Sequence, residues 1–263
     1  MTTEAPATID INCDLGESFG AWQMGDDAAL LAVVSSANIA CGFHAGDPDI
    51  MRHTVATAVA HQVAMGAHVS LPDLQGFGRR EMTVTPNEAY AMTLYQVGAL
   101  HAFALAAGAR LHHVKPHGAL YNMAARDIKL AGAIAHAVRD FDPSLWLFGL
   151  AGSALPEAGR AAGLSVAAEA FADRGYRADG SLQPRREPGA VITESDQAIA
   201  QAMAMAREGK VRAVDGSIVT LKADTLCVHG DGAHAVAFAR NLRAALEAAG
   251  ITIAAPQVSG GNA

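Results

Sequence analysis

The chain has few cysteines, no long apolar run, no excess of basic residues and no phosphate-binding glycine-lysine loop, and each absence removes a class of protein. Three cysteines in 263 residues, none in a CxxC pair, leave no disulfide framework and no thiolate zinc site. Cys13, Cys41 and Cys227 therefore read as reduced, buried small residues. No apolar run approaches the ~18 residues of a membrane helix. The first residues, MTTEAPATID, lack a basic region followed by an apolar one, so no signal peptide is expected and the cytoplasm is the expected location. With 19 Lys and Arg against 26 Asp and Glu, a net charge of -7 and a pI near 5.8, neither nucleic acid nor an anionic membrane is an expected partner. The pattern GxxxxGK[ST] is missing, so any nucleotide contact must use another architecture or another subunit.

What is present is a large apolar fraction arranged in alternating segments. At 51% hydrophobic residues the chain can bury a sizeable core, and a single domain over residues 1–263 is the expectation. Short β-rich runs at Ile9–Cys13, Ala37–Cys41, Val63–His68, Leu111–Lys115, Leu145–Leu150, Ser165–Phe171, Thr225–His229 and Ile251–Ala254 alternate with longer helical stretches. The clearest helix is Pro86–Ala107, opened by Thr85 and Glu88 in capping-box spacing with proline at its first position. Asp127–Val138, Asp196–Arg207 and Asp231–Ala249 are predicted helices, each opened by an aspartate suited to its positive end. Seven or eight βα units predict an α/β fold with parallel strands, a closed or nearly closed (β/α) barrel rather than an open doubly wound sheet. Two segments break the rhythm and read as binding loops: 71–85, and 173–189 with Arg174, Arg177, Arg185 and Arg186. Phe19, Trp22 and Met24 are expected to pack around the first loop.

The chemistry is positional, because titratable residues follow the carboxyl ends of successive apolar strands. Asp14 and Glu17 follow the first, His44 and Asp47 the second, His68 the third, Lys115 and His117 the fourth, Glu169 and Asp173 the sixth, and His229 and Asp231 the last. In a (β/α) barrel all these ends open on one face, where residues far apart in sequence converge. Asp14, His44 and His68 form a ligand set suited to zinc, manganese or a similar divalent ion; a hydrogen-bonded acid–imidazole cluster without metal is the alternative. Lys115 and His117, two apart in VKPHGALYN, pair a charge for a carboxylate or phosphate with a proton carrier near neutral pH. His229 and Asp231 repeat the spacing, although Asp231 also suits a helix cap. Glycines beside ionisable groups in GESFG and GFHAGD let backbone approach a ligand.

Six co-linear segments, IDINCDLGESFGAWQMGDD, SANIACGFHAGDP, PDLQGFGRRE, HVKPHGALYN, DRGYRADGSLQPR and DTLCVHGD, resemble the LamB/YcsF family from about Ile9 to about Ile253. The resemblance implies a barrel similar to glycoside hydrolase/deacetylase barrels. It also implies a role within a bacterial 5-oxoprolinase, as the component that with subunits B and C opens 5-oxo-L-proline to L-glutamate while hydrolysing ATP, with magnesium, to ADP and phosphate. Carried over by position, it points to Asp14, Glu17, His44, His68, Lys115 and His117 as catalytic residues. Asp47, Arg79, Tyr121, His229 and Asp231 stand as substrate- or phosphate-binding residues. The sequence departs from the family pattern at Val69 and Leu71, where proline and an aromatic are usual on either side of a small residue, here Ser70; an aromatic lining the site would make this a change in ligand preference. A metal-dependent deacetylase or amidohydrolase needing no ATP, and a non-catalytic lactam-binding subunit, are the other readings. A homo-oligomer stays open.

Overall fold

The computed structural model describes residues 8–228 and 235–257. Seven parallel strands close into a barrel: β1 (Thr8–Leu15), β2 (Ser36–Ala40), β3 (Ala64–Val69), β4 (His113–Pro116), β5 (Trp146–Leu150), β6 (Ser165–Phe171) and β9 (Thr225–Val228). Asp10–Cys13 of β1 pair with Thr225–Val228 of β9 and so seal the cylinder. Between β6 and β9 a short antiparallel hairpin, β7 (Lys210–Arg212) and β8 (Ile218–Thr220), stands apart, and β10 (Thr252–Ile253) adds to the first residues of β1. The hairpin leaves no signal in the alternation of segments. The closed-barrel expectation holds, with strand ends differing from the expected ones by a residue or two.

Helices α1 (Asp27–Leu31), α2 (Pro48–Ala60), α3 (Pro86–Ala106), α4 (Gly118–Arg126), α5 (Ile128–Phe141), α6 (Ala154–Ala161), α7 (Ser195–Glu208) and α8 (Ala235–Ala248) lie along the chain between the strands. Their starts follow from local chemistry. Thr85 and Glu88 close the capping box of α3 in both directions. Asp127 accepts from the amides of Lys129 and Leu130 to cap α5. At the start of α7 Asp196 sits within the first turn, at the positive end of the helix as expected, while Glu194 occupies the cap position. No helix among the described residues is long and apolar enough to cross a membrane.

The strand alternation is inverted relative to an ordinary core. Ile9, Ile11, Cys13 and Leu15 of β1 belong to the buried apolar cluster, whereas Asp10, Asn12 and Asp14 make side-chain bonds to other strands. Lys115 of β4 lies 3.2 Å from Cys227 of β9, and since those strands are not neighbours, that contact crosses the lumen. The barrel interior is therefore polar, and the sleeve between strands and helices is apolar. Asp10 accepts from the hydroxyls of Ser35, Ser36 and Thr225. Asn12 donates to the Thr225 hydroxyl and accepts from Asn38, whose Oδ1 meets His113 Nε2 at 2.8 Å. The His113 ring stacks on Phe148, and opposite it Gly66 must lack a side chain, because a Cβ there would overlap the imidazole. Buried polar groups in such a lumen need partners, and this chain of bonds supplies them.

Burial pushes the Asp10 carboxyl up to about 6 against the lowering effect of its three hydroxyl donors. A carboxyl raised on folding binds its proton more tightly in the folded state. Its stabilising contribution is complete below the unfolded value of 3.8 and is lost as pH rises through about 6, by up to about 3 kcal/mol. Urea unfolding of the wild type and Asp10→Asn across this window should show the wild type losing stability relative to the variant. A difference that stays constant with pH would rule out the raised carboxyl.

Candidate active site

At the carboxyl end of the barrel, β1 delivers Asp14 and the following turn Glu17, the loop after β2 delivers His44, β3 His68, and β4 Lys115 with His117 just beyond it. The histidines are fixed by backbone carbonyls. His68 donates Nδ1–H to the Lys115 carbonyl at 2.9 Å, and His117 donates Nε2–H to the Phe77 carbonyl at 2.9 Å. Carbonyls only accept, so the other ring nitrogens are turned toward each other, His117 Nδ1 and His68 Nε2 being 2.9 Å apart. At that distance the two nitrogens suit a proton passed between them or a metal cation held by both. Asp14 Oδ2 stands 3.2 Å from His68 Nε2, and Glu17 Oε1 is 3.1 Å from His44 Nε2 and 3.6 Å from His117 Nδ1.

Packing holds this cluster in place. The His44 and His117 rings stack with centroids 3.9 Å apart, and the Phe77 ring stands nearly perpendicular to both. Phe77 itself has φ of 54°, and Gly78, at 62°, lies so close that a Cβ would come within 2.9 Å of the His117 ring and 2.8 Å of His44 Cβ. The GFG of segment 71–85 is thus the clamp over the imidazoles. Burial, then the charges of His117 and His68, push the His44 imidazole well below its ordinary value. Burial and His68 do the same to His117, which is therefore neutral near pH 7 and can accept a proton at Nδ1.

Beneath the imidazoles lies a buried ion cluster. The Lys115 ammonium is 2.9 Å from Asp14 Oδ1, 2.8 Å from Glu169 Oε1 and 3.1 Å from Asn12 Oδ1. Burial penalises the charged lysine, but Asp14, Cys227 and Glu169 outweigh it and hold its pKa well above the ordinary value. Burial likewise works against the Asp14 carboxylate, and His68 and Lys115 outweigh it to hold Asp14 well below the usual range. With its N–H groups directed at Asn12, Asp14 and Cys227 and with Glu169 beside it as an ion-pair partner, Lys115 is engaged within the protein rather than reaching out to a ligand.

The catalytic set expected from strand ends, Asp14, Glu17, His44, His68, Lys115 and His117, converges here. Four donors, Glu17, His44, His68 and His117, come within 4.8 Å of one another in a metal-binding arrangement. His44 and His68 of the expected metal triad belong to it, while Asp14 lies outside it against Lys115. Arg79 lies over the Phe77 ring at 4.8 Å and, with the buried Tyr121, lines the cleft that opens beside the cluster. Burial and Glu169 push the Tyr121 hydroxyl well above its ordinary value. Asp47 caps α2 through Asp49 and Ile50 and also accepts from Gly20, tying the first loop to that helix. His229 and Asp231 lie outside the described residues. Val69, Ser70 and Leu71 are fully buried, and Leu71 packs in the apolar core instead of lining the cleft. Trp22 is not packed as expected: it is 64% exposed and pairs with Phe19. Glu169 is legible in the sequence as a strand end but not as the partner of Lys115; its one signal is a lone acid inside the apolar run SVAAEAF.

A closed parallel barrel whose carboxyl-end mouth carries a buried acid–imidazole cluster beside an open cleft defines a (β/α)-barrel protein with its polar site in the usual barrel position. The chain belongs to the LamB/YcsF family, whose sequence model matches residues 9–260. It is 64% identical over 247 residues, 94% of this chain and 98% of the relative, to a Bordetella pertussis protein named as the A subunit of 5-oxoprolinase. It also superposes on a lactam utilization protein from Thermus thermophilus with a TM-score of 0.90, at 51% identity, covering 95% of this chain and all of that one. The catalytic domain of a peptidoglycan N-acetylglucosamine deacetylase from Eubacterium rectale, 11% identical with a TM-score of 0.51 over 98% of this chain and 92% of that one, shares the fold.

Removing one partner of a buried ion pair leaves an uncompensated charge and costs about 3–5 kcal/mol. Lys115→Met should lose stability on that scale in urea unfolding, and adding Glu169→Gln should restore part of it. Strict additivity of the two changes would contradict the coupling.

Proposed function

We propose that this chain is the lactam-opening component of a cytoplasmic ATP-dependent 5-oxoprolinase. In this reading it acts on 5-oxo-L-proline with subunits B and C and releases L-glutamate as ATP is hydrolysed. The observation that carries the reading is the Glu17, His44, His68 and His117 cluster at the open mouth of the barrel, in a chain alike over 94% of its length to a protein named for that reaction.

Opening a lactam requires water to lose a proton as it attacks the carbonyl carbon, and the ring nitrogen to gain one as the C–N bond breaks. The Glu17 carboxylate, one of the four clustered donors, and the neutral His117, which lines the cleft, have the chemistry to do this. Glu17 takes the proton of the attacking water, and His117 Nδ1 relays a proton to the departing nitrogen. His68, oriented by the Lys115 carbonyl and by Asp14, keeps Nε2 against His117 Nδ1 and so positions the proton carrier. Asp14, Lys115 and Glu169 act by positioning. The lack of a Walker A loop fits a division of labour in which partner subunits handle the nucleotide.

The same donors favour a second reading, a metal-dependent amidohydrolase that needs no ATP. The residues fit a divalent ion: His68 and His117 each have the far nitrogen bonded to a backbone carbonyl, the usual support of metal-bound histidines, and Glu17 supplies a carboxylate. His44 fits less well, since its Nδ1 is buried with no hydrogen-bond partner. When bound, such an ion would polarise the carbonyl and lower the pKa of water.

His117→Ala and Glu17→Gln should each lower 5-oxoproline-dependent glutamate release by about 100-fold or more in the complex reconstituted with subunits B and C. Wild-type rates in both variants would refute the assignment. Turnover without ATP that is abolished by a chelator, together with stoichiometric metal in the purified chain, would establish the second reading instead.

A further inference from the structure

Among the described helices of eight or more residues, α3 alone carries no formal charge beyond its first turn. Residues 89–109 include no aspartate, glutamate, lysine or arginine. A helix that is apolar around its whole circumference is ordinarily a buried one. One side of α3 meets that rule: Ala89, Thr93, Gln96, Val97, Leu100 and Ala104 are buried, and the helix packs on β3, α2 and α5. The opposite side is exposed. Ala91, Tyr95, Ala102 and Leu105 lie along it at helical spacing, with Tyr95 66% and Leu105 65% exposed. Between them Gly98 has open space where a Cβ would stand. The apolar surface continues beyond this line. The Tyr95 ring meets that of Phe43 with centroids 5.5 Å apart, and the last turns of α2 expose Ala56, Val59 and Ala60.

We propose that this face is where two copies of the chain pair, α3 against α3 in antiparallel, about a twofold axis between Gly98 and Ala99. Charge selects a second copy as the occupant. Chains of net charge -7 repel one another wherever their acidic surfaces meet, and the outer side of α3 lets them approach without setting like charges together. Shape selects the orientation. A parallel pair would set Tyr95 against Tyr95 and Leu105 against Leu105. The antiparallel pair sets Tyr95 against Ala102 and Ala91 against Ala106, so a large side chain fills the space left by a small one. Gly98 at the crossing lets the helix axes come within about 8 Å. Such an isologous contact closes on itself and ends at the dimer.

The area fits a modest dimer. With α3 about 30 Å long and α2 about 9 Å to its side, the face measures roughly 600 Å² per copy. Two copies would bury about 1,200 Å², at the lower edge of specific interfaces, and a dissociation constant on the order of micromolar is expected.

Sedimentation equilibrium of the full chain from about 0.1 to 100 µM tests the pairing. The mass should rise with concentration from 27.1 kDa to twice that value. Tyr95→Glu/Leu105→Glu places like charges at the centre and removes two anchors, and should weaken association about 100-fold or more. Ile218→Glu, at an apolar residue of β8 that is 56% exposed, should associate as the wild type does. Orientation is read by oxidation. Gly98→Cys, at the axis, should form a disulfide-linked dimer, whereas Ala91→Cys, about 20 Å from its mate, should not. The native cysteines are buried and do not compete. If the double glutamate variant fails to fold by its melting curve, the two cysteine variants decide alone. A monomer at every concentration, association indifferent to the α3 charges, equal loss in Ile218→Glu, or cross-linking through Ala91 in place of Gly98 overturns the proposal. So does a monomer that needs Tyr95 and Leu105 to assemble with subunits B and C, which would give the face to a different partner.

Discussion

One ammonium group holds the site together. Lys115 projects from β4 into a closed lumen and meets Asp14 from β1 and Glu169 from β6, three strands that share no direct ladder with one another. A buried lysine is tolerated only when carboxylates surround it, and a buried carboxylate only when a cation does, so each member makes the others permissible. Asp14 in turn reaches His68, and His68 reaches His117. The acid–base groups at the mouth are thus registered to the barrel wall through an ion cluster that cannot shift without leaving a charge exposed to low dielectric.

The barrel divides its labour between two faces of the same strands. Outward residues such as Ile11, Cys13 and Leu15 pack in the apolar sleeve, which supplies the driving force for folding. Inward residues form a hydrogen-bonded column from Asp10 and Thr225 through Asn12 and Asn38 to the ion cluster and the imidazoles. Such a column supplies little net stability for its size but specifies one register, because a slip of one residue would place carboxylates in the apolar sleeve. Rigidity at the mouth follows from satisfied polar bonds below it, and the GFG clamp above His117 completes the confinement.

Two irregular segments then decide what the mouth can meet. Segment 71–85 folds down as a lid fixed over the imidazoles by Phe77 and Gly78. Segment 173–189 instead stands beside the cleft as a cationic wall braced by Tyr176 and Arg174. The acidic balance of the whole chain concealed this wall, since net charge averages over surfaces that face different things.

Local chemistry in the sequence determined the order and type of the elements, the caps at Thr85 and Asp127, and the run of titratable residues after each strand. These depend on neighbours within a few residues, through backbone sterics, capping bonds and periodicity. Tertiary structure alone decided that Lys115 faces Glu169, that Asp47 is engaged by the first loop and its own helix, that Glu17 rather than Asp14 joins the three histidines, and that Leu71 is core. Alternation along a strand says which side chains point inward, but where they meet is set by the closure and stagger of the barrel. That closure is a property of seven strands together, and no single segment encodes it.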